Sequence, residues 1–238
     1  MAIKLIRDGV TQVAAEPILE PVAHLDLVFE WIDGQYWLHS DIPRERPIGI
    51  EIDRELRRHE EFFKRSSLQK ELLAKAIGVK GPARPTVLDL TAGLLGDSLL
   101  LLSFGCAVRA CERNPVVAFL IQSALARAQH PKIKNFEFTF GDGETNLESL
   151  NNIDVIYFDP MFEDANSKTA PRKEMRIFRN VVGPDQDAQE IFRKARKLGP
   201  KRLVVKRPRH SVDLGEEPAL QFIGKSTRYD VYFSKQIH

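Results

Sequence analysis

Over the last two thirds of the chain, short apolar runs alternate with longer stretches of helical spacing. Residues 86–90, Thr-Val-Leu-Asp-Leu, form one apolar run, and residues 107–111, 135–140, 153–158, 203–205 and 228–233 form others. Between them, residues 97–104, 116–129 and 187–198 carry apolar positions at the intervals of a helix that buries one face. Gly105 and Gly199-Pro200 stop two of these helices, and Pro115 stands near the first turn of the middle one, where proline is tolerated. Strands read as continuous apolar runs when both faces of their sheet are covered. The pattern therefore predicts an α/β fold with a mostly parallel sheet. No helical pattern separates the last two runs, which predicts an antiparallel edge hairpin.

The first fifty residues follow another rhythm. Residues 25–29 and 36–38 flank Asp33-Gly34, a hairpin signal, and Pro17, Pro21, Pro43 and Pro47 punctuate the region. Residues 53–77 are charged, with Leu56, Phe62, Phe63, Leu72, Leu73 and Ile77 at roughly helical spacings, and Gly78 follows. The expected organisation is a small β-rich part over residues 1–52, a helical connector over 53–84 and an α/β domain over 85–238.

Composition adds limits. With 238 residues and 43% hydrophobic content, the chain can bury a sizeable core. Apolar runs such as 99–102 and 116–121 are far too short to span a bilayer, and Met1-Ala2-Ile3-Lys4 lacks a signal-peptide core. The expectation is a cytoplasmic protein without a membrane partner. Cys106 and Cys111 lie five apart in one strand, on opposite faces, and read as buried thiols. The six histidines show no close pair and no cysteine partner at zinc spacing, so no metal is expected. No serine-hydrolase elbow or Walker phosphate loop is present.

Charge is unevenly spread behind a net +2. Residues 135–167 hold eight acids and no Lys or Arg, whereas residues 193–209 hold nine Lys and Arg and no acid. The basic run reads either as a solvated helix face plus a loop or as a phosphate-binding surface.

Candidate chemistry sits at the carboxyl ends of successive strands, where open α/β sheets bind ligands. After the first strand, Asp89-Leu90-Thr91-Ala92-Gly93-Leu94 is a small-residue turn, and Ala92 and Gly93 let backbone approach a ligand closely. Glu112, about twenty residues on, stands where an acid accepts hydrogen bonds from ribose hydroxyls. Asp142, between Gly141 and Gly143, can receive an adenine amine. Asp159-Pro160-Met161-Phe162 follows a fourth strand. An exocyclic amine on a base is a poor nucleophile because its lone pair is delocalised into the ring. The Asp159 side chain and the Pro160 carbonyl are two acceptors that can redirect that lone pair toward a methyl donor, while Phe162 stacks on the base. Each feature alone admits a plain reading as a tight turn or a strand-end charge. Together they stand in the order needed for one adenosine cofactor and one planar amine, and local acidity suits a cationic sulfonium.

These residues resemble a known family. Asp-Leu-Thr-Ala-Gly-Leu (89–94), Glu-Arg-Asn-Pro-Val-Val (112–117), Asp-Pro-Met-Phe (159–162), Lys-Glu-Met-Arg (173–176), Val-Gly-Pro-Asp (182–185) and Val-Val-Lys-Arg-Pro (204–208) look like ribosomal small subunit methyltransferase J. The likeness covers roughly residues 75–233. It implies a class I, Rossmann-like methyltransferase fold, with a seven-stranded sheet whose last strand is antiparallel. It implies S-adenosylmethionine as cofactor and methylation of a guanine amine in small-subunit ribosomal RNA, free or in the assembled subunit. It also implies that Asp97, Glu112, Arg113, Asp142, Gly143 and Asp159 face the cofactor. The chain departs from the family at Leu95-Gly96, where Gly-Arg is usual; Gly96 is counted with the cofactor residues. It departs again at residues 64–68, where the family is rich in glycine and arginine.

Lys206, Arg207 and Arg209, just after a strand end, are candidates for RNA phosphate contacts, as are Lys173 and Arg176, with Arg172 and Arg179 beside them; residues 173–179 read equally well as a solvated helix face. Two rivals keep the fold: a DNA or protein-amine methyltransferase, and a non-catalytic RNA-binding or ribosome-assembly module. A nicotinamide dehydrogenase predicts a glycine-rich pyrophosphate loop that is missing.

Overall fold

The computed structural model describes residues 3–23, 25–39, 46–143, 152–161 and 187–234. Among these, two sheets form. The small one has the order β2-β1-β3-β4, from β1 (Lys4–Arg7), β2 (Val10–Val13), β3 (Val28–Ile32) and β4 (Gln35–Leu38). The hairpin between β3 and β4 turns at Asp33 and Gly34, both at positive φ (49° and 85°), as the tight two-residue turns of hairpins require.

The large sheet has seven strands in the order β10-β11-β9-β8-β5-β6-β7. They are β5 (Thr86–Asp89), β6 (Ala107–Glu112), β7 (Phe136–Phe140), β8 (Val155–Phe158), β9 (Arg202–Pro208), β10 (Leu220–Ile223) and β11 (Thr227–Phe233). Strands β5 to β9 pair in parallel, and β11 runs antiparallel to both β9 and β10. The class I sheet with an antiparallel last strand is thus present. The edge hairpin differs from expectation. The last strand lies inside the sheet, and β10, which the hydrophobic pattern did not reveal, forms the edge. β10 is largely exposed, so its residues carry no continuous apolar signature.

The chain builds β5, β6 and β7 outward on one side and then returns to place β8 on the other. The β5–β8 boundary is therefore a topological switch point, where a crevice opens beyond the strand ends. Residues in adjacent positions of each strand face opposite sides. Val87, Tyr157 and Val204 join a core with α3 (Gly96–Ser103) and α4 (Pro115–Arg127). Leu88, Ile156, Phe158, Leu203 and Val205 join a second core with the helix Ala188–Lys197, called α5. Cys106 and Cys111, both free and buried, fall in the first and second core respectively, as their odd spacing predicts.

Two further helices, α1 (Ile52–Arg65) and α2 (Leu72–Ile77), precede the sheet, and α2 ends at Gly78, which takes the left-handed conformation at φ 81°. The small sheet rests on α4. Phe29 and Tyr36 pack on Phe119 with ring centroids 5.0 and 5.1 Å away, and the Tyr36 amide donates to Ser123 Oγ at 2.7 Å. Ile3, Phe29 and Leu38 belong to the same core as Val87 and Val108. No helix among the described residues is long and apolar enough to cross a membrane.

Candidate active site

Four strand ends converge beside the switch point. Asp89 closes β5 and is only 1% exposed. Its carboxylate accepts the Thr91 amide at 3.1 Å and the Ser98 hydroxyl at 2.6 Å, which ties the turn to α3. Burial pushes the Asp89 carboxyl up to about 7, and the charges of Asp97 and Asp159 add to the rise, while the Ser98 and Thr91 hydrogen bonds oppose it.

The turn after β5 is held from the neighbouring strand. The Ala92 amide donates to the Cys111 carbonyl at 2.9 Å, and the Gly93 amide donates to Glu112 Oε2 at 2.9 Å. Glu112 Oε1 accepts the Asn114 amide at 2.7 Å, and Asn114 caps α4 through Val116 and Val117. Glu112 is thus a buried strand-end acid with a fixed orientation. Its neighbour Arg113 reaches Asp187, at the head of α5, at 2.6 Å.

Asp142 and Gly143 follow β7. The Gly141 amide donates to the Glu112 carbonyl at 3.0 Å, so this turn lies against the end of β6. A Cβ on Gly143 would come within 3.0 Å of the Leu90 carbonyl, which makes a side chain there costly. Burial raises the Cys111 thiol, and the charges of Asp89, Glu112 and Asp142 raise it further. Those three carboxylates therefore gather around one strand end.

Asp159 and the buried Pro160 follow β8. The Asp159 amide donates to Thr91 Oγ1 at 2.8 Å, which joins the loop after β8 to the turn after β5. Asp97, in the first turn of α3, accepts the Tyr157 hydroxyl at 2.5 Å and the Lys206 ammonium at 2.7 Å. The same ammonium donates to Asp159 Oδ2 at 2.8 Å. Burial by itself would lower the Lys206 pKa, but Asp159 and Asp97 together raise it, so the amine is held firmly protonated. The Tyr157 phenol is raised far above its ordinary range, first by burial and then by Asp97 and Asp159.

The expected phosphate contacts need two corrections. Lys206 points into this acidic cluster rather than outward, because α3 and β8 bring Asp97 and Asp159 to it. Arg207 is 2% exposed and serves the interior, with Nε 3.1 Å from Ser211 Oγ and 3.8 Å from Asp230. Of the basic run, Lys194 is paired with Glu190, Arg196 with Glu216 and Lys201 with Asp154, so much of its charge is internally compensated. Arg209 remains exposed. Phe162, Lys173, Arg176, Arg172 and Arg179 lie outside the described residues.

Three residues of the cluster escaped sequence reasoning in these roles: Thr91, Ser98 and Tyr157. Only Thr91 left a signal, as a hydroxyl inside the strand-end turn. Beside the cluster, Gly96 has open space around its Cα and borders a cleft of about 250 Å³, walled also by Ile50, Arg58, His59, Leu94 and Leu99.

A family model described as "Putative SAM-dependent methyltransferase" matches residues 38–234. Ribosomal RNA small subunit methyltransferase J of Laribacter hongkongensis is 45% identical over 168 residues, which are 67% of this chain and 60% of that protein's own length. The protein of the same name from Thioalkalivibrio sulfidiphilus is 42% identical over 177 residues, 71% of this chain and 69% of that one. The chain belongs to the methyltransferase J family. Among solved structures, the SAM-dependent methyltransferase NGO1261 from Neisseria gonorrhoeae matches with a TM-score of 0.68 and 27% identity, covering 98% of this chain and 97% of that one.

S-adenosylmethionine is the cofactor of this methyltransferase J chain. The residues present fit it. Glu112 offers an oriented carboxylate where a ribose is expected, Gly143 leaves no side chain in the way, and Asp89, Asp97, Glu112, Asp142 and Asp159 form a field that favours a cationic sulfur.

Proposed function

We propose that this chain transfers a methyl group from S-adenosylmethionine to the exocyclic amine of a guanine in small-subunit ribosomal RNA, free or within the assembled subunit. The names of its relatives supply the RNA. The Asp159-Pro160 loop supplies the amine grip, and it is the observation that carries the reading: its amide is anchored on Thr91 and its carboxylate on Lys206. An RNA-modifying role carries the cytoplasmic expectation with it.

When bound, the cofactor supplies an electrophilic methyl group on a cationic sulfur. The chain's own residues bind and aim. Glu112 and the 91–93 turn hold the adenosine end, with Ala92, Gly93, Gly96, Asp97, Arg113, Asp142 and Gly143 lining its path. Asp159 and the Pro160 carbonyl accept the two N–H bonds of the amine, which turns its lone pair out of conjugation and toward the methyl carbon. The amine nitrogen would take the methyl group that the cofactor supplies, and its proton would leave to solvent. Holding the reactants in line supplies much of the rate. Phe162, next after Met161, stacks on the base, at about 1–3 kcal/mol for such contacts. A base drawn from a helix must first be flipped out, at a few kcal/mol.

The test is Asp159→Ala, assayed by mass mapping of ribosomal RNA after incubation with S-adenosylmethionine. Methylation is expected to disappear from a variant that melts like the parent. Near-normal turnover would remove the amine grip and the reading with it.

A further inference from the structure

We propose that Lys206 is a positioning residue of the transfer site, which fixes Asp159 relative to Asp97 and thereby holds the amine grip in register with the cofactor side of the crevice. The proposal rests on the amine-grip reading of Asp159.

The geometry is that of a clamp. Lys206 stands on β9, opposite Tyr229 of β11, and its ammonium donates to Asp97 at 2.7 Å and to Asp159 at 2.8 Å. Asp97 belongs to α3 and Asp159 to the loop after β8, so one cation ties a helix on one side of the sheet to the loop that ends its central strand. Asp159 is held at a second point through its amide on Thr91, and Asp97 at a second point through the Tyr157 hydroxyl. An aspartate anchored through both its backbone and its carboxylate loses freedom before substrate arrives, and that entropy is not lost again in the transition state. Lys206 is also the cation among acids. The groups facing it are Asp97 of α3, Tyr157 of β8, Asp159 of the loop after β8, Tyr229 of β11 and, nearby, Asp89 of β5, with Glu71 acting on Tyr229. Without its charge, the Asp97 and Asp159 carboxylates repel one another across the gap that it spans.

Removing Lys206 alone leaves Asp97 and Asp159 without their cation, so Lys206→Met is expected to lower the unfolding midpoint. Its kinetics are therefore read at a temperature where the variant is shown to be folded by circular dichroism. There the full-length variant is expected to keep its KM for S-adenosylmethionine and for ribosomal RNA within a few-fold, and to lose about 10²-fold in kcat. Lys206→Arg keeps the charge but replaces a compact ammonium by a planar fork, so it should recover kcat only in part. The salt slope of RNA binding should not change. Wild-type kcat in Lys206→Met would overturn the proposal, as would a salt slope reduced by about one. If Lys206→Met does not fold, Lys206→Arg decides: a lowered kcat supports the clamp and an unchanged kcat overturns it. Asp159→Ala in the same assay tells the two failures apart. An inactive Asp159→Ala beside a fully active Lys206→Met rejects only the clamp, whereas an active Asp159→Ala rejects the underlying reading.

Discussion

Glu112 Oε2 accepts the Gly93 amide at 2.9 Å, so the turn that ends β5 takes its shape from the last residue of β6. One carboxylate thus both shapes the backbone and presents the acid expected at the ribose. Glu112→Ala should cost on two counts. The Gly93 and Asn114 amides lose their acceptor, at about 1–3 kcal/mol of stability for each that stays buried. The cofactor should bind at least about tenfold more weakly, the loss of one charge-assisted hydrogen bond. Calorimetric titration with S-adenosylmethionine checks this, and unchanged affinity in a folded variant would take Glu112 out of the site.

Sequence pattern revealed the strands buried on both faces, together with β7 and the β3–β4 hairpin, and missed the mostly exposed β2 and β10. β5, β6, β8 and β9 read as apolar runs because helices cover both sides of the sheet. β2 exposes all four of its residues and β10 most of its own, so neither has an alternation to read. The acids at the strand ends were legible for a related reason: a charge directly after an apolar run must sit where the run stops. The partners of the cations were not. Lys206 meets Asp97 across 109 positions and Asp159 across 47. A run of basic residues looks the same whether it faces solvent or an acid delivered by another element.

Leu95 sits at φ 63° and is fully buried at the start of α3. The left-handed region costs a non-glycine residue about 1–2 kcal/mol. Burial of the leucine side chain offsets that strain. Leu95→Ala keeps the strain and loses the packing, so it should destabilise by about 2–5 kcal/mol. Leu95→Gly loses the same packing but relieves the backbone, so it should be the more stable of the two by about 1 kcal/mol. Denaturant melts of both variants check the order, which is the reverse of the usual preference for alanine over glycine inside an element. If Ala is the more stable, the conformation at Leu95 carries no strain.

Asp89 gives the fold a pH dependence of uncommon sign. Its carboxyl is pushed from an ordinary value near 3.8 up to about 7, chiefly by burial, so the folded chain holds this proton more tightly than the unfolded one. The stability it contributes is fully present below about pH 4 and is lost as pH rises through about 7. Asp89→Asn removes that titration. The stability difference between wild type and Asp89→Asn should therefore move against wild type between pH 5 and pH 8. Urea melts across this range at constant ionic strength check it, and a difference that does not vary with pH would mean the carboxyl titrates normally.

Arg207 and Arg209 are two positions apart on the same strand end and should behave oppositely. Arg207 is buried beside Asp230, which is itself 0% exposed and accepts Arg228 Nε at 3.0 Å. Arg228 in turn reaches Asp213 at 2.6 Å, so β9, β11 and the segment after β9 share one charged network. Removing one member of such a network leaves charge uncompensated in the interior, which costs about 3–5 kcal/mol. Arg207→Ala should therefore lower the unfolding midpoint markedly and leave the salt dependence of RNA binding as it is. Arg209 is exposed, and Arg209→Ala should change stability by no more than about 0.5 kcal/mol. If Arg209 meets a phosphate, that variant should lower the slope of log K against log salt by about one. Filter binding to ribosomal RNA over a salt series, beside thermal melts of both variants, checks the pair. A slope that flattens for Arg207→Ala and not for Arg209→Ala would mean the network opens on binding RNA and that the buried arginine, not the exposed one, meets the backbone.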